Sequence, residues 1–185
     1  MSFTPTEQGA LLQVAKEAIN AGLQGLRVPA LRPEDYAESL RAIRSTFVTL
    51  RIGGRLRGCV GGLDAKHPLV LDVHHHAYAA AFSDPRFPPL TAPEYPQLDV
   101  HISVLSPYAP LPFEDEAELL AKLRPGIDGL VIALGDRRAT FLPAVWESLA
   151  EPEVFVTHLK KKARIPADVR WYQAWRYTTD AIPAP

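Results

Sequence analysis

The chain has 185 residues, 47% apolar and 22% charged, with a formal net charge of −1 at pH 7. That length suits one domain or two small subdomains with enough chain to bury a core, and so small a charge gives no field to hold nucleic acid or anionic lipid. One cysteine excludes an internal disulfide, a multi-cysteine zinc site and a resident iron–sulfur cluster.

No apolar run is long enough to span a bilayer and the first residues carry no signal pattern, so a cytosolic protein is expected. Ten of the eighteen prolines gather in 84–96, in 107–112 and at the chain end, with apolar and aromatic residues between them. They read as stiff connections rather than disorder.

Thr4-Pro5-Thr6-Glu7 forms a capping box with proline at the first helical position. Leu11, Ala15, Ala18, Ile19, Gly22 and Leu23 then recur at helical spacing, so a helix to about Leu23 is expected. Residues 29–33 read as a connection, with a short turn before the next strand pair.

Residues 46–62 carry the most information. Val48, Leu50 and Ile52 alternate with Phe47, Thr49 and Arg51, the period of a half-buried strand, and Leu56 and Val60 alternate with Arg55, Arg57 and Cys59 beyond Gly53-Gly54. A three-residue loop over 53–55 would pair Ile52 with Leu56 and Val48 with Val60, giving one apolar face. It would leave Arg51, Arg57, Thr49 and Cys59 on the other. Side chains at i and i+2 of a strand point the same way, so Arg57 is expected to reach the Cys59 thiol and favour its thiolate. Gly58, Gly61 and Gly62 would let a ligand or another backbone come close. The alternative is a small buried cysteine with glycines that only make bulges.

A second helix is expected over 67–82, with Leu69, Val73, His76, Ala77 and Ala80 on its apolar stripe. His74-His75-His76 resembles a metal tract, but consecutive helical side chains diverge by about 100°. At most one is expected in any single site, with one histidine buried and hydrogen-bonded and two at the surface. Pro85 and Pro88 then hold Asp84 and Arg86 on a stiff loop. That loop is either a positioned binding element or an internal ion pair. Thr91-Ala92-Pro93-Glu94 is another capping box.

Residues 98–105 form the cleanest strand, with Leu98, Val100, Ile102 and Val104 inward. Asp99, His101 and Ser103 share the other face, spaced too far apart along one strand for a triad, so a solvated face is expected. A helix follows over 114–123, then strands over 129–134 and 138–142 around Gly135-Asp136. Helices opened by Pro143 and Pro152 come next, and an aromatic strand over 171–179 closes the chain. The run Lys160-Lys161-Lys162 with Arg164 reads as a solvated last turn complementing the helix dipole. Strand pairs and helices alternate without a βαβ rhythm, so the expected class is α+β with mostly antiparallel sheet.

Taken together, these residues resemble the AMMECR domain family, and within it the bacterial branch called AmmeMemoRadiSam system protein A. The matching positions are Leu56-Arg57-Gly58-Cys59-Val60-Gly61, Ala79-Ala80 with Asp84-Pro85-Arg86-Phe87, and Ile102-Ser103-Val104-Leu105. Gly129-Leu130, Phe141-Leu142-Pro143 with Val145-Trp146, and Lys162-Ala163 continue the match in order. The sequence departs from the family pattern at Val60 (usually isoleucine), Gly62 (often serine or threonine), His101 (glutamate in some members), Ala144 (glutamine in some) and Arg164.

The resemblance implies a single domain of this type over 1–185, built on a curved, barrel-like antiparallel sheet with helices outside, and a smaller lobe within about 55–95. It also implies association with a Memo-type dioxygenase-like protein and a radical SAM protein, and it supplies no reaction.

Three functions follow as alternatives. The first is an enzyme or small-ligand-binding protein with Cys59 as nucleophile or acid/base and Arg57 beside it. His74 or His75 would be the base, and Gly58, Gly61, Asp84 and Arg86 would bind the substrate. The second is a non-catalytic accessory protein for the two partners. The third, nucleic-acid binding through Arg51, Arg55, Arg57 and the lysine run, is disfavoured by the charge balance. No cofactor and no metal are expected of the chain itself.

Overall fold

A computed structural model describes residues 3–26 and 30–182. Its regular elements are α1 (Pro5–Leu23), α2 (Glu38–Arg41), β1 (Thr46–Ile52), β2 (Arg55–Gly61), α3 (Leu69–Phe82), β3 (Leu98–Leu105) and β4 (Ala109–Pro110). They continue with α4 (Glu116–Lys122), β5 (Gly129–Leu134), β6 (Arg137–Phe141), α5 (Pro152–Lys162), β7 (Gln173–Tyr177) and β8 (Thr179–Ile182). The class is α+β, as expected, but the strands form two open four-stranded sheets instead of one barrel-like sheet. Two compact units result: Met1–Leu105 with Asp180–Pro185, and Ser106–Thr179. Residues 55–95 lie inside the first.

In the first unit the sheet order is β2-β1-β3-β8. The Thr4 capping box forms as the sequence predicts, Thr4 Oγ1 accepting from the Glu7 N–H and the Glu7 carboxylate from the Thr4 N–H. Of the connection expected over 29–33, Pro29 lies outside the described residues. A single 3₁₀ turn, Pro33–Asp35, and α2 precede β1. One face of the sheet, carrying Val48, Leu50, Val100 and Ile102, packs with Val73, Ala77 and Ala80 of α3 and Leu11, Ala15 and Ile19 of α1 in one fully buried cluster. Burying each of the larger aliphatic side chains stabilises the unit by about 1.5–3 kcal/mol.

The hairpin differs from expectation in an instructive way. Ile52 pairs with Arg55, so the loop is the two-residue Gly53-Gly54, both at positive φ (54° and 75°). Glycine takes two such positions in succession at the least steric cost. The parity this loop would impose is corrected one step later. Arg51 pairs with Leu56 and Leu50 with Gly58, so Arg57 is the extra residue of a β-bulge, and from there on Val48 meets Val60.

The second unit has the order β4-β7-β5-β6, with α5 against its sheet. Trp146 stacks on Phe155 at 3.8 Å between ring centroids and donates its indole N–H to the Asp128 carbonyl at 2.7 Å. Three expectations change here. Residues Pro143–Glu147 form a 3₁₀ turn, not an α-helix. Pro152 holds Glu151 extended (φ −86°, ψ 127°), which leaves too little chain for α-helical propagation.

The expected closing strand is split into β7 and β8, which join different sheets, and Trp171 stands outside both, 72% exposed. The lysine run is a solvated turn only in part, with Lys161, Lys162 and Arg164 exposed. Lys160 is buried, donating to the carbonyls of Ala167 and Val169 at 3.0 and 2.8 Å and to Glu116 at 3.2 Å, and Lys162 donates to the Thr140 carbonyl at 3.0 Å. Ammoniums bound to the chain's own acceptors offer little to a phosphate backbone.

Candidate functional site

Cys59 sits on β2, the edge strand of the first sheet, directly across from Thr49. Val48 and Leu50 on either side of Thr49 point into the core against α3. Strand alternation therefore turns Thr49, and Cys59 with it, to the opposite face. Gly58 fits this parity, because a Cβ built there would fall on the Ala80 carbonyl of α3. The Thr49 hydroxyl lies 3.2 Å from Cys59 Sγ, and the residue is half-buried.

The open edge of β2 is closed by the loop after α3. Asp84 Oδ2 accepts the Cys59 N–H at 2.9 Å, and Arg86 Nη2 donates to the Cys59 carbonyl at 3.2 Å. The two side chains pair with each other, Arg86 Nη2 to Asp84 Oδ2 at 2.7 Å and Arg86 Nε to Asp84 Oδ1 at 3.0 Å. The Arg86 guanidinium is the largest cause holding the Asp84 carboxyl far below the ordinary carboxylate range. The N–H groups of Cys59 and Arg86 add to it, and burial opposes it. Asp84 and Arg86 are thus an internal ion pair that also imitates a neighbouring strand at one residue, Cys59.

Arg57 does not take the place the sequence suggests. The bulge re-aims it, and it forms a two-pronged pair with Glu94, Nε to Oε1 at 2.7 Å and Nη2 to Oε2 at 3.2 Å, with a further bond to the Pro89 carbonyl at 3.3 Å. Glu94 is held down to about 2, first by Arg57 and then by the Thr91 hydroxyl and N–H. The guanidiniums of Arg57 and Arg86 lie 5.9 and 5.6 Å from the Phe87 ring centroid, within cation–π range. Arg86, rather than Arg57, is the guanidinium bonded to Cys59.

The glycines also find their neighbours within the chain. Gly58 admits the Ala80 carbonyl, and a Cβ on Gly61 would fall on the Thr46 carbonyl and the Phe47 ring. Gly62 lies beside Ser45 and His76. Close approach of the chain's own backbone therefore accounts for Gly58 and Gly61.

The structure does not bring the α3 histidines to the thiol. α3 covers the face of the sheet away from Sγ. His74 is half-buried, its imidazole lowered first by burial and then by His75, while Glu17 of α1 raises it. His75 is exposed and lines a cavity together with His76, so two neighbours of the tract do share one site; their rings meet edge-on at 5.9 Å. The histidine that shares the Cys59 face is His101. It pairs with Thr49 from the other side, so Cys59, Thr49 and His101 form one rung across three strands. The alternation of 98–105 already put His101 on the outward face, and only strand order shows which neighbour it meets. Among the described residues no group of three or more His, Cys, Asp or Glu side chains is placed to hold a metal ion.

An α+β chain with an edge cysteine clamped by an Asp-Pro-Arg loop defines a recognisable class. The AMMECR1 family profile matches residues 12–182, and the chain belongs to that family. It is 36% identical over 176 residues to a protein of Methanothermobacter thermautotrophicus, covering 91% of this chain and 89% of that one. It is 35% identical over 193 residues to a protein of Thermofilum pendens, at 96% and 86% coverage. The crystal structure of an uncharacterised protein from Pyrococcus horikoshii superposes with a TM-score of 0.81 at 28% identity, covering 92% of this chain and 88% of that one. No helix of the described residues is long and apolar enough to cross a membrane.

Proposed function

We propose that the chain is a cytosolic enzyme or small-ligand-binding protein whose site is the Cys59 rung. The observation that carries this reading is the clamp. Cys59 has its N–H and carbonyl fixed by Asp84 and Arg86 and its sulfur beside the Thr49 hydroxyl, while the residue stays partly exposed. Fixing a residue at both backbone groups and at the side chain costs conformational entropy, and an inert packing cysteine has no need of it.

In this reading Cys59 is the nucleophile or acid/base and Thr49 positions its hydrogen. His101, one strand further, is the base reached through Thr49, and Arg86, 55% exposed, faces the anionic part of a small substrate. Asp84 is a positioning residue, since it acts through the Cys59 backbone.

The resemblance of the LRGC and DPRF motifs supports, in the same reading, the bacterial AmmeMemoRadiSam system protein A branch. The chain would then act in a pathway with Memo-type dioxygenase-like and radical SAM proteins. The test is the rate of iodoacetamide alkylation of Cys59 in the folded protein. The expected result is alkylation without unfolding that slows several-fold in Arg86→Ala and in His101→Ala and is unchanged in Arg57→Ala. A thiol that labels only on unfolding overturns the reading and leaves the accessory role beside those two partners.

A further inference from the structure

On the α3 side of the same sheet, the loop after β2 and the first turns of α3 enclose a cavity of about 260 Å³. Its walls include Gly62, Asp64, Lys66, His67, His75 and His76. Behind it lies a buried polar cluster that the Cys59 site does not use. Asp72 is 4% exposed in the first turn of α3, and Thr46 on β1 is fully buried. Thr46 Oγ1 donates to Asp72 Oδ2 at 2.7 Å, which uses the only hydrogen of that hydroxyl. His76 Nδ1 lies 3.1 Å from both Asp72 Oδ2 and Thr46 Oγ1. A carboxylate accepts only, and the hydroxyl proton is already committed, so the proton of this contact must sit on Nδ1. The neutral imidazole then carries its lone pair on Nε2.

Nε2 faces the backbone of Gly62, where even an added Cβ would stand 3.9 Å away. It is open to the cavity, with Lys66 and His67 exposed at the rim. An imidazole oriented by a buried carboxylate, with a free lone pair over a cavity, is the arrangement of a general base.

We propose that this cavity is a second binding site. It takes a small ligand that presents a hydroxyl to His76 Nε2 and an oxyanion to Lys66, with His76 as proton acceptor and Asp72 and Thr46 as positioning residues. The site stands independently of the Cys59 reading, because Sγ points from the other face of the sheet.

Inorganic phosphate is a suitable probe, since its monoanion carries both a P–OH and oxyanions. Histidine side-chain nitrogen NMR resolves His76 from His67 and His75, whose own protonation, with the charges of Asp64, Asp72 and Lys66, also bears on the cavity. Before phosphate is added, His76 should show the proton on Nδ1. On addition its signals should shift saturably, with affinity falling about tenfold in Lys66→Ala and further in Gly62→Val, which crowds Nε2. Cys59→Ser should bind phosphate as the wild type does. A proton found on Nε2, a shift that never saturates, or a shift indifferent to Lys66→Ala overturns the proposal.

Discussion

Arg86–Asp84 in the first unit and Arg124–Asp128 in the second are built alike. Each buries its carboxylate, at 3% and 0% exposure, and leaves its arginine half-exposed, at 55% and 51%. Each closes a side-chain pair at 2.7 or 2.6 Å, and in each the aspartate also accepts the backbone N–H of its own arginine.

They differ in what else they hold. Arg124–Asp128 ties a Pro-Gly turn to itself, and the Asp128 carbonyl reaches out to Trp146. Arg86–Asp84 extends to both backbone groups of Cys59 on another element. One arrangement shapes a loop and the other transmits position to a thiol, so what separates two like ion pairs is the third partner each holds rather than its own geometry.

The comparison breaks most visibly at the aspartates. Asp84→Ala and Asp128→Ala each strip part-buried N–H groups and a guanidinium of their charged acceptor, and each should cost about 2–3 kcal/mol, read as a fall in denaturation midpoint. Only Asp84→Ala should alter Cys59 alkylation measured well below that midpoint. Equal alkylation in the two variants would erase the distinction.

Smaller effects are expected at the half-exposed arginines. Arg86→Ala and Arg124→Ala should each cost about 1 kcal/mol, while the alkylation rate falls several-fold in Arg86→Ala alone.

Acid sharpens the picture around the clamp. Glu94, held by Arg57, drops from an ordinary 4.5 to about 2 on folding. A lowered folded-state pKa gives stability that is fully present above 4.5 and is lost as pH falls towards 2. Glu94→Gln should therefore flatten the acid limb of a stability-versus-pH curve across that window, and an unchanged limb would show that Arg57 and Glu94 are not coupled in solution. The smallest effect is expected at the thiol. Cys59→Ser should shift the thermal midpoint little, since its bonds to Asp84 and Arg86 are made by the backbone and a serine hydroxyl keeps a partner in Thr49, while it removes all alkylation.

Much of this was legible in the residues. Period and capping located α1, β1, α3, β3, β5 and α5, and alternation along 98–105 put His101 on the outward face. The site was legible only in part. The proline-stiffened Asp84–Arg86 loop and Cys59 stood out, but parity reasoning assigned Arg57 to the thiol. A single bulge reversed that, and nothing in Leu56-Arg57-Gly58 announces a bulge. Glu94, Arg57's actual partner, lies 37 residues away in sequence.

The helix histidines failed for a related reason. Spacing states which side chains share a face of one element, but not which face of the sheet that element will cover. Local pattern by itself determined most of the elements, the α+β class and the clustering of unusual residues around Cys59, because periodicity, capping and turn chemistry act over a few residues. Only the tertiary structure decided that Arg86 and His101, rather than Arg57 and the α3 histidines, stand with the thiol. Strand order, the position of one bulge and the side of the sheet taken by α3 are set by packing between distant segments.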